Sequence, residues 1–368
     1  METNERLAKF REVLTENRLD GFLVTNKKNI YYLSGFAGSS GYLLISAQGE
    51  AYLFTDFRYE EYAAALASRF VPRIQKGEPY AELKATVQSL AQGAGFRKLG
   101  VDAAHMTLKT HELLGKGLDG SAGILPGEDP CYKLRQIKDE NELALMRASM
   151  KIADETLLRM KEYIRPGITE KEAAEELEAT FKRLGAEGPS FETIAAAGKR
   201  SSMPHGQPTD NVIAEGDLVT LDFGCVVGGY ASDQTRTFVM GSPDAKQERI
   251  YRLVLQAQEA AIAAAAPGRS TREIDRVARD IITGEGYGDN FGHGLGHSLG
   301  LDIHEDPRFS PITEDRILEP NMVLTVEPGI YLPGWGGIRI EDVVVITGGG
   351  CENITRSPKT LEFMTVMT

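Results

Sequence analysis

The motif Pro166-Gly167 is followed by Thr169-x-x-Glu172, and about a hundred residues later Pro267-Gly268 is followed by Ser270-x-x-Glu273. Each is a hydroxyl N-cap with a glutamate three positions on, a capping box that opens a helix. The spacing predicts that the two helices end near Gly185 and Gly284. After each helix comes a phenylalanine-led stretch that contains histidine, residues 191–205 and 291–304. After each of those comes an apolar strand, residues 218–223 and 322–326, which returns through a second, residues 230–239 and 338–346. A chain that repeats itself in this order is constrained to fold as two similar α/β halves. The bland alternative is a chance echo of common capping chemistry.

The repeat also places acids at matching positions. Asp222 (LVTLDFG) and Asp233 (SDQTRT) lie in the first strand pair, Glu327 (LTVEPGI) and Glu341 (IRIED) in the second. A carboxylate in an apolar strand is costly unless it is paired or bound to a cation. Gly228-Gly229 reads as a two-residue hairpin loop. That loop sets Val227 opposite Tyr230, Gly224 opposite Asp233 and Asp222 opposite Thr235. Asp222 and Asp233 then share a face as diagonal neighbours about 7–8 Å apart. A three-residue loop would put them on opposite faces. Between the two acid pairs runs FGHGLGHSLGLDIHE, residues 291–305, with His293, His297 and His304 among four glycines. Four inward acids and a histidine suit two divalent cations; without metal the acids repel and some must hold protons. Oxygen-rich ligation with one imidazole favours Mn²⁺, with Co²⁺, Fe²⁺ or Zn²⁺ as alternatives. For any one acid taken alone, a solvent-facing place on an edge strand is the simpler account.

At 368 residues the chain is long for one domain. The pattern breaks around 126–130 with Gly, Glu, Asp and Pro, so domains are expected at 1–128 and 129–368. The first alternates helical stretches (6–16, 81–90, 108–114) with short strands (21–25, 42–46, 51–56, 98–102), an α/β pattern. GFAGSSG, residues 35–41, lacks the lysine of a phosphate loop and reads as a turn. His105 and His111 have no carboxylate cluster in the sequence around them and are expected at the surface or at helix ends. Asp139 and Glu142 open a long helix with apolar residues at three- and four-residue steps, stopped by Arg165-Pro166-Gly167. A net charge of −12 with no basic run argues against nucleic acid or an anionic membrane as partner. The charged, amphipathic start does not read as a signal peptide, and the most apolar run, 260–266, is too short to span a bilayer. Three cysteines without pairing or ligand spacing fit a reduced, cytoplasmic location.

The motifs LDFG…SDQTRT, GHSLGLDIHE, VEPGIY and IRIED resemble those of the metallopeptidase family of methionine aminopeptidase, aminopeptidase P and prolidase. The resemblance spans residues 130–368 and implies a pseudo-symmetric "pita-bread" α/β catalytic domain with two divalent metal ions. Residues 1–125 resemble the N-terminal α/β domain of the creatinase–prolidase–aminopeptidase P branch, which implies an Xaa-Pro peptidase of the short bacterial type. By that resemblance the metal ligands are Asp222, Asp233, His297, Glu327 and Glu341, with Asp233 and Glu341 bridging. His297 is the family's ligand because it lies seven residues before the histidine of the DIHE motif, His304. The resemblance further gives His205, in SSMPHG, a catalytic role. It places His205, His293 and His304 against substrate, Glu327 as proton carrier, and Arg339 behind the acids. It implies peptides with proline in second position as substrates and a homodimer as the assembly. Aminopeptidase and dipeptidase activities both remain open at this point, beside a binding module that has kept the fold but not catalysis.

Overall fold

The structure is a computed structural model in which residues 3–78, 80–118 and 120–367 are described. It divides into two compact units, Met1–Arg135 and Gln136–Thr368. Among the described residues no helix is long and apolar enough to cross a membrane.

The first unit runs α1 (Thr3–Glu16), β1 (Gly21–Val24), α2 (Lys27–Ser34), β2 (Tyr42–Ser46), β3 (Ala51–Thr55), α3 (Glu60–Ala65), β4 (Val71–Ile74), α4 (Ala81–Gly93), β5 (Lys98–Asp102), α5 (Leu108–Leu118), β6 (Gly123–Gly127) and α6 (Pro130–Arg135). Its strands form one mixed sheet in the order β4-β3-β2-β1-β5-β6. Leu23, Leu44, Phe54, Leu99 and Val101 are fully buried in its core. The sequence signals predict most of these elements but not α2, α3, β4, β6 or α6. Helix α2 is short and held by its ends: Asn26 accepts from the amides of Lys28 and Asn29, and Gly35 closes it in the left-handed region, donating to Tyr31 O. His105 differs from expectation in one respect. It is half exposed, but its Nδ1 lies 3.2 Å from Oδ2 of the buried Asp102.

The second unit opens with α7 (Glu140–Tyr163) and α8 (Glu170–Arg183), then β7 (Gly188–Pro189), β8 (Ile194–Ala197), β9 (Leu218–Phe223), β10 (Cys225–Val227), β11 (Tyr230–Ala231) and β12 (Gln234–Met240). It continues through α9 (Ala245–Ala264), α10 (Thr271–Gly284), β13 (Gly296–Ser298), β14 (Glu305–Phe309), β15 (Val323–Val326), β16 (Gly329–Leu332), β17 (Gly336–Arg339), β18 (Asp342–Ile346) and β19 (Cys351–Asn353). It ends in α11 (Leu361–Met364) and β20 (Thr365–Val366).

The duplication read from the sequence is present in the backbone. Capping boxes at Asp139, Thr169, Asp244 and Ser270 open α7, α8, α9 and α10. The N-caps of α8 and α10 make the same isolated bridge, Thr169 to Val212 and Ser270 to Ile317. The glycines before them make the same bond, Gly167 N to Ile213 O and Gly268 N to Leu318 O. In the first half β9 lies between β8 and β12; in the second β15 lies between β13 and β18. The apolar faces of α7 to α10 and of both sheets close over one core, in which Leu157, Phe181, Leu221, Val254, Ile282 and Leu324 are fully buried.

The hairpin register is the one a two-residue loop dictates: Val227 faces Tyr230 and Asp222 faces Thr235. Both loop glycines have positive φ, 57° and 79°, as such a loop requires. The return strands, however, are not the continuous runs predicted. The first is interrupted between Ala231 and Gln234, the second between Arg339 and Asp342. The gaps hold Asp233 and Glu341. The backbone inside the second gap, and at the edge of the first, bonds to the opposite half. Glu341 N donates to Thr235 O at 3.1 Å, and Ala231 N donates to Gly300 O at 2.8 Å.

Candidate metal centre

The sheets of both halves deliver their acids to one place. Asp222 is the penultimate residue of β9, and Asp233 directly precedes β12. Glu327 directly follows β15, and Glu341 directly precedes β18. His297 is the middle residue of β13. Asp233, His297 and Glu341 each offer a ligand atom, and these atoms all lie within 4.8 Å of one another. His297 Nε2 is 3.5 Å from Asp233 Oδ2 and 3.4 Å from Glu327 Oε1.

The protonation of His297 follows from its other nitrogen. Nδ1 lies 3.1 Å from Ser298 O. A carbonyl only accepts, so Nδ1 carries the hydrogen and Nε2 presents a lone pair to the acids. Burial, with His304 as the next cause, holds the ring's pKa down to about 3, so it stays neutral. A lone pair facing two carboxylate oxygens is repulsive unless a cation or a proton lies between them. The acids report the same crowding. Burial, then Asp222 and Glu327, pushes Asp233 well above the usual carboxylate range. Burial, then Asp233, does the same to Glu341. Burial lifts Glu327 to about 7, with Arg339 pulling it down and Asp222 pushing it up. Among the described residues, the buried Oδ1 of Asp222 has no hydrogen-bond partner. A neutral imidazole lone pair and four crowded carboxylates make a donor set that divalent cations fit.

Neighbouring side chains fix the donors. Thr235 Oγ1 donates to Glu341 Oε2 at 2.6 Å, and Thr325 Oγ1 donates to Glu327 Oε1 at 3.1 Å. Arg339 is buried and donates through Nη2 to Asp222 Oδ2 at 2.6 Å, through Nε to Thr235 Oγ1 and through Nη1 to Tyr331 Oη at 2.8 Å. Tyr331 Oη lies 3.0 Å from His293 Nε2, while His293 Nδ1 lies 2.8 Å from Gly294 O. The same carbonyl argument makes Nδ1 the donor, so Nε2 accepts from Tyr331. Burial and the Arg339 charge hold this ring neutral, with its pKa lowered to about 4. Both nitrogens of His293 are therefore engaged within the fold.

The remaining histidines stand open to a cavity of about 1160 Å³ lined by the acids, Arg339, His205, His293, His297 and His304. His304 is exposed and sets its ring edge-to-face against His297, 4.5 Å between centroids. His205 is exposed on the same lining. Two helix acids hold the histidine-bearing segments in shape. Glu170, fully buried on α8, accepts from Ala197 N, Thr209 N and Arg200 Nε across the stretch that carries His205. Asp275 on α10 accepts from Leu295 N and pairs with Arg279, which donates to the carbonyls of Phe291 and His293. The glycine next to His297 is required by packing: a Cβ on Gly296 would stand 2.0 Å from Thr325 O.

Two lining residues were not singled out from the sequence. Tyr331 links His293 to Arg339. Arg308 faces His297 across the β13–β14 pair and also lines the cavity. Tyr331 closes the VEPGIY motif, which was the available signal, whereas Arg308 carries none because it acquires its place through strand pairing.

Metallopeptidase family M24 matches residues 144–348, and the Creatinase/Prolidase N-terminal domain matches residues 6–137. The chain is 36% identical over 359 residues to an Xaa-Pro dipeptidase of Pyrococcus horikoshii, covering 97% of this chain and 99% of that protein. Its structure resembles that of the Xaa-Pro dipeptidase from Bacillus anthracis, with a TM-score of 0.93, 39% identity and coverage of 98% and 99%. It also resembles an X-Pro aminopeptidase from Thermotoga maritima, with a TM-score of 0.86, 35% identity and coverage of 96% and 99%.

Proposed function

The chain belongs to metallopeptidase family M24, and on that footing we propose that it hydrolyses the bond between an N-terminal residue and a following proline. The observation that carries the reading is the convergence of His297 Nε2, as a lone pair, on acids from both halves. Asp222, Asp233, His297, Glu327 and Glu341 would hold two divalent ions, Mn²⁺ first among them given one imidazole and four carboxylates. Bound there, such ions supply a water of lowered pKa and polarise the scissile carbonyl.

The chain's own groups supply the rest. Glu327 takes the proton of the attacking water and passes it to the departing nitrogen. That nitrogen belongs to proline and carries no hydrogen in the peptide, and like any departing amine it takes up one proton as the C–N bond breaks. His205 and His304 face the cavity and donate to the carbonyl oxygen as charge develops on it. Arg339 keeps Asp222 aimed, donating to its Oδ2. His293 acts through Tyr331, since neither of its nitrogens is left for a substrate.

An aminopeptidase accepts further residues after the proline, whereas a dipeptidase requires the proline to end the chain. Arg308 favours the dipeptide. It lines the cavity, and its acidic neighbour Asp306 is 3.5 Å away and exposed. A free proline carboxylate is the natural partner for such a guanidinium. The test is metal-free protein reconstituted with Mn²⁺, Co²⁺ or Zn²⁺ and assayed on Xaa-Pro and Xaa-Pro-Xaa peptides. Absence of metal-dependent cleavage of either would sink the reading; cleavage of the tripeptide alone would restore the aminopeptidase. The free cysteines suit a reducing cytoplasm, and a homodimer is the assembly we expect by analogy. With a net charge of −12, neither nucleic acid nor membrane is proposed as a partner.

A further inference from the structure

Lys138, three residues into the second unit, is one of its largest fully buried side chains. Its ammonium lies 3.1 Å from Glu305 Oε2 and 3.4 Å from Ser298 Oγ. Those two residues are a cross-strand pair in an irregular place. Gly296 and His297 face Phe309 and Arg308, but the register then jumps, so that Ser298 faces Glu305. This bulge lies directly beside His297, and a bulge re-aims the side chains next to it. Lys138 bridges the first pair beyond it.

The other contacts close the turn. Glu305 Oε1 accepts from Asp302 N at 3.0 Å, and Gly300 N donates to Asp302 O at 3.0 Å. A Cβ on Gly300 would stand 2.9 Å from Glu305 Oε1 and 3.1 Å from Lys138 Cε, so the turn is packed tightly around the ion pair. Gly300 O accepts from Ala231 N, two residues before Asp233. His297, His304 and Asp233 thus lie on three segments that meet around one buried charge. A buried ion pair is seldom more stabilising than apolar residues of the same size, so net stability does not account for this one.

We propose that Lys138 is a positioning residue of the metal centre: by bridging Ser298 and Glu305 it fixes the bulge that aims His297 and seats His304 against it. The inference rests on the metallopeptidase reading of the site. Its test uses the full chain with Lys138→Met and with Lys138→Met/Glu305→Gln, the second change removing the negative charge whose ion pair the first breaks. Calorimetry reads the fold, Mn²⁺ titration reads ion binding, and the absorption bands of the Co²⁺-loaded protein read the ligand geometry. Steady-state kinetics on an Xaa-Pro dipeptide complete the set.

The double variant is expected to regain most of the melting temperature lost by Lys138→Met and to bind two ions. Its Co²⁺ bands should stay shifted, and kcat should stay about tenfold to a hundredfold down with KM nearly unchanged. A double variant with wild-type bands and wild-type kcat would overturn the proposal, because the pair would then be structural only. Should the double variant not fold, Ser298→Ala removes one tie at little volume cost. It must shift the Co²⁺ bands for the proposal to stand. If the wild-type protein does not cleave Xaa-Pro peptides, the proposed function fails, while the Co²⁺ bands of the variants still decide the role of Lys138.

Discussion

Arg339 holds Asp222 by one oxygen only: Nη2 donates to Oδ2 at 2.6 Å, and Oδ1 is buried without a hydrogen-bond partner among the described residues. The guanidinium thereby orients the carboxylate while leaving one oxygen for a cation. Arg339→Met should loosen Asp222 and lower bound metal from two ions toward one per chain, with activity down about 10–100-fold. Elemental analysis of dialysed protein beside kinetics checks this. Two ions retained with normal turnover would contradict it.

Metal and protons compete for the same acids. A carboxylate whose folded pKa is raised contributes stability in full below its unfolded pKa, and the contribution is lost as pH rises from there through the folded value. Glu327 loses its contribution as pH rises from its ordinary 4.5 through about 7, and Asp233 and Glu341, raised well above their ordinary values, add to the loss in the same direction. His293 and His297 have lowered values and oppose this, but only below their ordinary value of 6.5, where unfolded histidines take up protons. Metal-free protein should therefore melt higher at about pH 6.5 than at about pH 8. Added Mn²⁺ should raise the melting temperature more at the higher pH. Calorimetry with a chelator and with Mn²⁺ at both pH values is the measurement, and an equal metal effect at both would refute the argument.

Glu327→Gln keeps an oxygen for a cation but cannot carry a proton. Turnover of an Xaa-Pro dipeptide should fall about 10²–10⁴-fold. KM should change little. Near-normal turnover with both ions bound would remove Glu327 from the proton path.

Arg308→Ala should act on binding. For a dipeptide, KM is expected to rise about tenfold or more, the loss of one charge-assisted hydrogen bond, with kcat largely kept. An Xaa-Pro-Xaa tripeptide, whose carboxylate lies one residue further on, should be nearly unaffected. Equal loss on both substrates would show that Arg308 does not read the carboxylate.

Gly296→Ala tests packing rather than chemistry. The added methyl meets Thr325 O at 2.0 Å, and backbone cannot yield as a flexible side chain can. Overpacking of this kind costs about 1–3 kcal/mol or more. A melting temperature equal to wild type would show that β13 and β15 can separate.

Much of this was legible in the sequence because it is local. Capping boxes are read within four residues, and the Gly228-Gly229 loop alone sets the register that faces Asp222 with Thr235. The interruptions at Asp233 and Glu341 were not legible, since no glycine or proline stands at either acid to mark a break. They lie beside bonds to residues far along the chain, Thr235 for Glu341 and Gly300 for Ala231, which no local pattern records. Lys138 and Arg308 escaped for the same reason. A lone lysine before a capping box reads as surface, and only the jump between His297 and Ser298 makes it a buried one.

The strands break where the two halves exchange hydrogen bonds, and those are also the positions of two of the acids. Synthesis therefore supplies Asp222 and Asp233 long before the residues that complete the set. A nascent chain that has emerged only through β12 carries two acids and no imidazole partner for them. It must wait for His297, Glu327 and Glu341, and for the halves to lock together. With the ligand set proposed above, capture of metal would report that the duplicated domain has been made in full and assembled, and a truncated product would be recognisable by its inability to retain metal.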